Sequence, residues 1–120
     1  MSYLDTKILV VDDEKMILEL LHSRLTKTGF VVDVAENAAE GIKKIHNNSY
    51  DLILTDIKMP GMSGNDFFEY LKTTLAQPIP VIAMSGTPWL TEKSSFDAII
   101  GKPFCKDELL YVISRFVQIG

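Results

Sequence analysis

Five polar residues end or follow short apolar runs of this sequence: Asp12, Asp13, Asp56, Ser85 and Lys102. Three carboxylates that lie close together repel one another unless a cation neutralises them, and Mg²⁺ takes oxygen ligands of this kind. A lysine ammonium suits a phosphate oxygen, a serine hydroxyl donates hydrogen bonds, and an aspartate can act as a nucleophile toward phosphorus. Together these groups form the parts of a phosphoryl-transfer site, in which positioning and charge neutralisation supply most of the catalysis.

Each residue also has a simpler explanation when it is taken alone. Asp13 or Glu14 can cap the helix that follows, since acids near helix N-termini are common and stabilising. Lys102 can be an ordinary solvated lysine. Asp56 lies farther from a helix start, because the next helix is predicted to begin near residues 64–66. The coincidence of all five positions favours a site over independent caps.

Strands and helices are predicted to alternate along the chain. The apolar, β-branched runs predict strands at 7–11, 30–35, 50–55, 80–84 and 97–100. Helical periodicity predicts helices at 14–29, 38–48, 65–75 and 107–119. This order predicts a parallel sheet with helices on both faces. Ligands of such sheets bind beyond the carboxyl ends of the strands, where the five polar residues gather.

The helical periodicity also predicts which side chains face the sheet, and Gly29 is placed to end the first helix. The predicted inward residues are Ile17, Leu20, Leu21, Leu25, Ile42, Ile45, Phe67, Phe68 and Leu71.

The composition predicts one acidic globular domain over residues 1–120. Apolar residues make up 47%, charged residues 23%, and the net charge is −4. The absence of a basic surface argues against direct nucleic-acid binding. No apolar run is long enough to span a membrane, and no signal peptide is visible. The single cysteine, Cys105, fits a reducing compartment, so we expect a cytoplasmic protein.

Four motifs carry a resemblance to a known family. They are VVDDE (10–14), DLILTDIKMPGMSG (51–64), VIAMSG (81–86) and GKPF (101–104). With these motifs the sequence resembles the receiver domain of bacterial two-component response regulators over essentially its whole length. The resemblance implies a flavodoxin-like, doubly wound α/β fold with a five-stranded parallel sheet of strand order 2-1-3-4-5.

The resemblance also implies roles for the acidic residues. Asp56 matches the aspartate that accepts a phosphoryl group from a histidine kinase. Asp12, Asp13, Asp56 and the backbone carbonyl of Lys58 match the Mg²⁺ site, with Asp13 as a direct ligand and Asp12 acting through water.

Three positions near the carboxyl ends of the last strands match residues of the family switch. Ser85 takes the place of the hydroxyl residue that turns toward the new phosphate. Lys102 matches the phosphate-binding lysine, and the family usually has a cis peptide bond to the proline that follows it. At position 99 the family usually carries Tyr or Phe, whereas Ile99 has no ring to rotate.

The connection between the last two strands is short, because only sixteen residues separate Ser85 from Lys102. A parallel crossover needs about a dozen residues or more. The sequence therefore predicts a shortened fourth helix that starts at Thr87 and ends by Ser94 or Ser95.

The predicted function is a phosphoacceptor switch, and its predicted partners are a sensor histidine kinase or phosphotransfer protein and a downstream protein target. Its only enzymatic steps would be self-phosphorylation and slow autodephosphorylation. Two alternatives stay open: a receiver-like interaction module that works without phosphorylation, and a metal-dependent phosphohydrolase. The hydrolase is disfavoured because its usual second acid, two residues after the nucleophile, is replaced by Lys58.

Several other residues are given structural roles. His22 and His46 are predicted at the surface, and Cys105 is predicted to pack as an inert side chain. Trp89 and Leu90 are predicted to cover the edge of the sheet.

Overall fold

The computed structural model describes residues 6–75, 77–86 and 96–117 of the chain. The strands are β1 (Lys7–Val11), β2 (Val31–Ala35), β3 (Leu52–Asp56), β4 (Val81–Ser85) and β5 (Ala98–Gly101). The helices in these ranges are α1 (Lys15–Thr28), α2 (Ala38–Asn47), α3 (Gly64–Thr74) and α4 (Lys106–Ser114). The predicted strands and helices that fall in these ranges are confirmed, with ends that differ by a few residues.

The five strands form one parallel sheet in the order β2-β1-β3-β4-β5. The central strands β3 and β4 are buried at every position, whereas the edge strands β2 and β5 are only partly buried. This difference explains why the runs that form β3 and β4 are almost continuously apolar, since both of their faces are covered. The predicted strand order is confirmed.

Helices cover both faces of the sheet. One face packs against α1 and α4, and its core includes Leu21, Leu54 and Leu109. The other face packs against α2 and α3, and its core includes Ile53 and Phe67. Successive strand residues alternate between the two cores, as the period of two in a strand requires.

The first helix departs from the prediction at one position. Leu20 is 41% exposed, whereas Leu18 is buried against the sheet together with Leu21 and Leu25. Positions 18, 21 and 25 lie on one side of a helix with 3.6 residues per turn, and position 20 is turned away from them. Gly29 ends the helix in a left-handed conformation at φ 114°, as predicted.

Some predictions lie outside the described residues. These are the short helix from Thr87 to Ser94 or Ser95, the positions of Trp89 and Leu90, and the last residues of the closing helix. Within the described ranges, no helix combines the length and the hydropathy that crossing a bilayer requires.

Candidate functional site

The carboxyl ends of four neighbouring strands carry the polar residues that the sequence singled out. Asp12 follows β1, Asp56 is the last residue of β3, Ser85 is the last residue of β4, and Lys102 follows β5. All four strands run in the same direction, so their ends meet at one edge of the sheet. These residues come from positions up to 90 apart in the sequence, and the parallel fold brings them together.

Lys102 connects the acidic residues of this edge. Its ammonium lies 3.0 Å from Asp12 Oδ2, 3.3 Å from Asp56 Oδ1 and 3.9 Å from Glu14 Oε1. Asp12 is fully buried and Asp56 is 8% exposed. A buried carboxylate is stable in its charged form only when it is paired and hydrogen-bonded. The lysine therefore compensates two carboxylates that the fold holds close together.

Asp12, Asp13 and Asp56 form a compact group of oxygen ligands. One carboxylate oxygen from each lies within 4.8 Å of the others. Asp13 is exposed, whereas the other two are buried. In the part of the chain that the structure describes, no other group of three or more His, Cys, Asp or Glu side chains is close enough together to hold a metal ion. The donors are all hard oxygens, which fits a hard divalent cation.

The pKa of Asp56 is raised above its ordinary value. Burial is the largest cause and the charge of Asp12 adds to it, while Lys102 and the N–H of Ile57 act in the opposite direction. The pKa of Lys102 is also raised. Its burial favours the neutral form, but the hydrogen bonds and charges of Asp12 and Asp56 outweigh that effect. Lys102 is therefore a fixed positive charge at neutral pH.

No acidic side chain caps the N-terminus of α1: neither Asp12 nor the two acids considered for that role, Asp13 and Glu14, does so. Glu14 occupies the N-cap position, and its side chain makes no capping hydrogen bond. Instead, Asp12 Oδ1 accepts the N–H of Glu14 at 2.9 Å, while Asp12 Oδ2 accepts the ammonium of Lys102 at 3.0 Å. Both oxygens of Asp12 thus accept hydrogen bonds from the protein. Because the N-cap of α1 has no side-chain capping hydrogen bond, the explanation of Asp13 or Glu14 as a helix cap is wrong.

Asp56 is likewise not the cap of the helix that follows it. The N-cap of α3 is Ser63, whose hydroxyl accepts the N–H of Asp66 at 3.2 Å. Asp56 instead directs Oδ1 toward Lys102 and toward the N–H of Ile57, which lies 2.9 Å away. Its carboxylate belongs to the acidic edge of the sheet, which is the group of Asp12, Asp13 and Asp56 at the carboxyl ends of β1 and β3.

Ser85, Lys58 and Pro103 complete the description of this edge. Ser85 is buried, and its carbonyl accepts the N–H of Lys102 at 2.7 Å, which ties the ends of β4 and β5 together. Lys58 is exposed in the loop after β3, two residues beyond Asp56. The peptide bond between Lys102 and Pro103 is cis, as the resemblance implies.

The position that differs from the family pattern lies beside this edge. Ile99 is partly buried in β5, opposite Ala83 of β4, and packs against the core beneath α2 and α3. Phe96, three residues before Ile99, is buried, and its ring packs at a tilt against that of Phe68, with ring centroids 5.2 Å apart.

Three residues that sequence reasoning did not assign to the site contact its members. Glu14 approaches Lys102, Thr55 donates to the carbonyl of Asp56, and Gly64 packs directly on the backbone of Asp56. Thr55 had a visible signal, because it is a polar residue inside an otherwise apolar run. Gly64 lies where the sequence predicts the start of the third helix, and nothing in the sequence indicates its contact with Asp56.

Two predictions about other residues can be compared with the structure. His22 and His46 are exposed, as predicted, and a ring nitrogen of His46 lies 3.0 Å from the hydroxyl of Tyr70. The prediction that Cys105 packs as an inert side chain is wrong with respect to packing. It is exposed at the N-cap position of α4, where the chain leaves the sheet edge and its side chain points to solvent.

Asp56→Asn is expected to increase the free energy of unfolding at neutral pH when no divalent metal is present. The folded-state pKa of Asp56 is raised, so between the unfolded and folded values the native state binds more protons, and stability falls as pH rises. The amide carries no charge and removes this cost. The gain in the free energy of unfolding is complete at pH values above the pKa of Asp56 in the folded state, and it disappears below the pKa in the unfolded state. Urea unfolding in EDTA at several pH values measures this gain.

The exposed Asp66 in the first turn of α3 provides the control for this substitution. Asp66→Asn removes a carboxylate outside the acidic edge and is expected to show no such pH-dependent gain. Equal stability of wild type and Asp56→Asn in EDTA at neutral pH would contradict the electrostatic account of Asp56.

Comparison with known proteins places the whole arrangement in one family. The family model described as "Response regulator receiver domain" matches residues 8–114. The chain is 37% identical over 118 residues to the transcriptional regulatory protein ResD of Bacillus subtilis, a match that covers 95% of this chain and 49% of ResD. It is 35% identical over 118 residues to the transcriptional regulatory protein CusR of Escherichia coli, covering 95% and 52%. The chain thus spans about half the length of these curated relatives.

A solved structure supports the same conclusion. The response regulator protein TrrA from Thermotoga maritima, solved in complex with Mg²⁺-BeF, superposes with a TM-score of 0.82 and is 34% identical. The alignment covers 93% of this chain and 99% of that one. The chain therefore belongs to the family of response regulator receiver domains, which are phosphoacceptor signalling domains and not metabolic enzymes.

Proposed function

We propose that Asp56 is the phosphoacceptor of this domain, and that a sensor histidine kinase or phosphotransfer protein supplies the phosphoryl group in a Mg²⁺-dependent reaction in the cytoplasm. The observation that carries the proposal is the position of the Asp56 carboxylate at the end of β3. There it lies 3.3 Å from the ammonium of Lys102, among carboxylate oxygens separated by no more than 4.8 Å. We further propose that residues 1–120 form a single receiver domain.

The charge of the edge supports a divalent cation. With Asp12, Asp13 and Asp56 ionised, Lys102 cancels one of three negative charges. A divalent cation would neutralise the two that remain, and oxygen donors fit Mg²⁺. When bound, Mg²⁺ offsets the negative charge on the phosphoryl oxygens.

The engagement of each acid supports a division of roles among the ligands. Both oxygens of Asp12 already accept protein hydrogen bonds, which favours contact with the metal through water. Asp13 is exposed and is proposed as a direct ligand. The backbone carbonyl of Lys58, in the loop beyond Asp56, is proposed as the remaining protein ligand.

The transfer step uses the side chains of this edge. A carboxylate oxygen of Asp56 attacks phosphorus, the P–N bond to the kinase imidazole breaks as the P–O bond forms, and the electron pair returns to the imidazole. The product is an acyl phosphate, with the ammonium of Lys102 placed to bind one of its oxygens. Ser85 is proposed to donate its hydroxyl to another, so that the ends of β3 and β4 respond to the added charge. This response is proposed to change the affinity for a downstream protein.

The phosphoryl group leaves by slow hydrolysis in this proposal. Water attacks phosphorus, the P–O bond to Asp56 breaks, and the carboxylate is restored together with inorganic phosphate. The domain would thus catalyse its own phosphorylation and dephosphorylation and no other reaction.

Incubation with acetyl phosphate and Mg²⁺, followed by intact-mass measurement, tests the proposal. The wild type is expected to gain the mass of one phosphoryl group, whereas Asp56→Asn is expected to gain none. The control Asp66→Asn should be phosphorylated like the wild type. Removal of the metal with EDTA should also prevent the adduct, because the acidic edge then has no cation to offset the phosphoryl charge. A wild type without an adduct, or an Asp56→Asn variant that still forms one, would overturn the assignment.

A further inference from the structure

Thr55 is a polar residue in the middle of the protein. It lies in β3, where every residue is buried, and its own exposure is 0%. Its neighbour Ile53 belongs to the core beneath α2 and α3, and strand alternation places Thr55 on the same side. The Thr55 hydroxyl donates to the carbonyl oxygen of Asp56 at 3.0 Å. A buried hydroxyl is kept only where it has a partner, and here the partner is the backbone of the proposed phosphoacceptor.

The peptide unit between Asp56 and Ile57 is held at both of its polar ends. Its carbonyl accepts the hydroxyl of Thr55, and its N–H donates to Asp56 Oδ1 at 2.9 Å. A peptide unit is planar, so its carbonyl and N–H cannot rotate independently. Fixing the carbonyl on one side therefore fixes the direction of the N–H that holds the carboxylate.

The first turn of α3 packs against the same peptide unit. A Cβ added to Gly64 would lie 2.4 Å from the carbonyl oxygen of Asp56 and 2.7 Å from Cα of Ile57. The N–H of Gly64 donates to the carbonyl of Ile57 at 2.8 Å. The peptide is thus enclosed by β3 on one side and by α3 on the other.

From these contacts we infer that Thr55 is a positioning residue for Asp56. Its hydroxyl orients the peptide between residues 56 and 57, so that the Ile57 N–H fixes Oδ1 of the Asp56 carboxylate in the direction needed for attack on phosphorus. The inference rests on the proposed phosphoacceptor role of Asp56. It adds a residue on the opposite face of the sheet, which touches neither phosphate nor metal.

Thr55→Val keeps the shape of the side chain and removes the hydroxyl. Acetyl phosphate in saturating Mg²⁺ is expected to phosphorylate this variant about tenfold more slowly than the wild type, because small losses of orientation slow attack strongly. Thr55→Ser keeps the hydroxyl and is expected to restore the rate. The amide resonance of Ile57 in the unphosphorylated protein should shift in the Val variant and stay near its wild-type position in the Ser variant.

Ile53→Val is the matched control, since it trims the same face of the same strand without touching the peptide. Its rate should be that of the wild type once the folded fraction is measured by urea unfolding. If the Val variant at position 55 does not fold, Thr55→Ala carries the same test. A folded hydroxyl-less variant with a wild-type rate, or an equal slowing in Ile53→Val, would overturn the inference. The amide resonance of Ile57 is measured in the unphosphorylated protein. It therefore tests the positioning role of Thr55 even if Asp56 is not phosphorylated, and the two failures can be distinguished.

Discussion

Lys102→Ala is expected to lower the free energy of unfolding by about 3 kcal/mol in the absence of divalent metal, because removal of one partner from a buried ion pair leaves an uncompensated charge. The charge left behind is the carboxylate of Asp12, which is fully buried and loses its contact at 3.0 Å. Asp56 loses its own lysine contact at 3.3 Å, so the two carboxylates repel each other. Urea unfolding in EDTA measures the loss.

Mg²⁺ is expected to recover much of this stability. A cation at the acidic edge replaces the charge of the missing ammonium, so the metal should stabilise Lys102→Ala more than it stabilises the wild type. Mg²⁺ binding itself should be largely preserved, because Lys102 supplies none of the proposed ligands. Phosphorylation or the structural response to it should still be impaired, since the ammonium proposed to bind the phosphoryl oxygens is gone.

Two further variants separate the charge of Lys102 from other effects. Lys102→Met keeps most of the apolar stem, and it should show the same metal-dependent loss if charge is the cause. Lys43→Ala removes an exposed lysine from α2 and should change stability by no more than about 0.5 kcal/mol. A loss in Lys102→Ala that is equal with and without Mg²⁺ would contradict the role given to the ammonium.

The fold was predictable because its central strands are buried on both faces and therefore form short, almost continuously apolar runs. KILVV predicts β1 at the residues that form it, 7–11. The sequence predicts that the third strand stops at Thr55, yet β3 extends to Asp56, which pairs with Met84 of β4. Aspartate has a low β propensity, so a sequence-based prediction ends the strand before it. The ladder nevertheless continues through Asp56, since its backbone pairs whatever its side chain does.

The first helix shows the limit of periodicity. Ile17, Leu18, Leu20 and Leu21 are crowded into little more than one turn, and they cannot all face the sheet. Which of them is buried depends on the angle at which α1 meets the sheet, and a periodic pattern does not contain that angle. Leu18 is buried and Leu20 is exposed.

The site was predictable as a set of residues but not as a set of contacts. Fold class places the strand ends at one edge, which is sufficient to bring Asp12, Asp56 and Lys102 together. Fold class does not predict which carboxylate lies nearest to Lys102. In the structure the ammonium is closer to Asp12 than to Asp56. That order depends on side-chain rotamers and on the packing of neighbouring loops. The contacts of Thr55 and Gly64 with the backbone of Asp56 depend on how closely α3 approaches β3, which composition and spacing leave open.

Gly64→Ala is expected to lower the free energy of unfolding by about 3 kcal/mol, at the upper end of the range for overpacking. The added Cβ would lie 2.4 Å from the carbonyl oxygen of Asp56 and 2.7 Å from Cα of Ile57. Both neighbours are backbone atoms, which cannot move aside as a flexible side chain can. The φ angle of Gly64 is not positive, so the cost arises from space and not from backbone conformation. Urea unfolding measures it.

Alanine substitutions at Gly41 and Gly86 provide comparisons for Gly64→Ala, because an added Cβ has less crowded surroundings at both positions. A Cβ at Gly41 would meet side-chain atoms of Val11 and Phe67 at 3.2 and 3.3 Å, and a Cβ at Gly86 would meet nothing within 4 Å. The loss on substitution by Ala should therefore be largest at position 64, smaller at 41 and absent at 86. Phosphorylation of the folded protein should slow only at 64, because only there does the new methyl displace the peptide that orients Asp56. A Gly64→Ala variant as stable as Gly41→Ala would contradict the close approach of α3 to the end of β3.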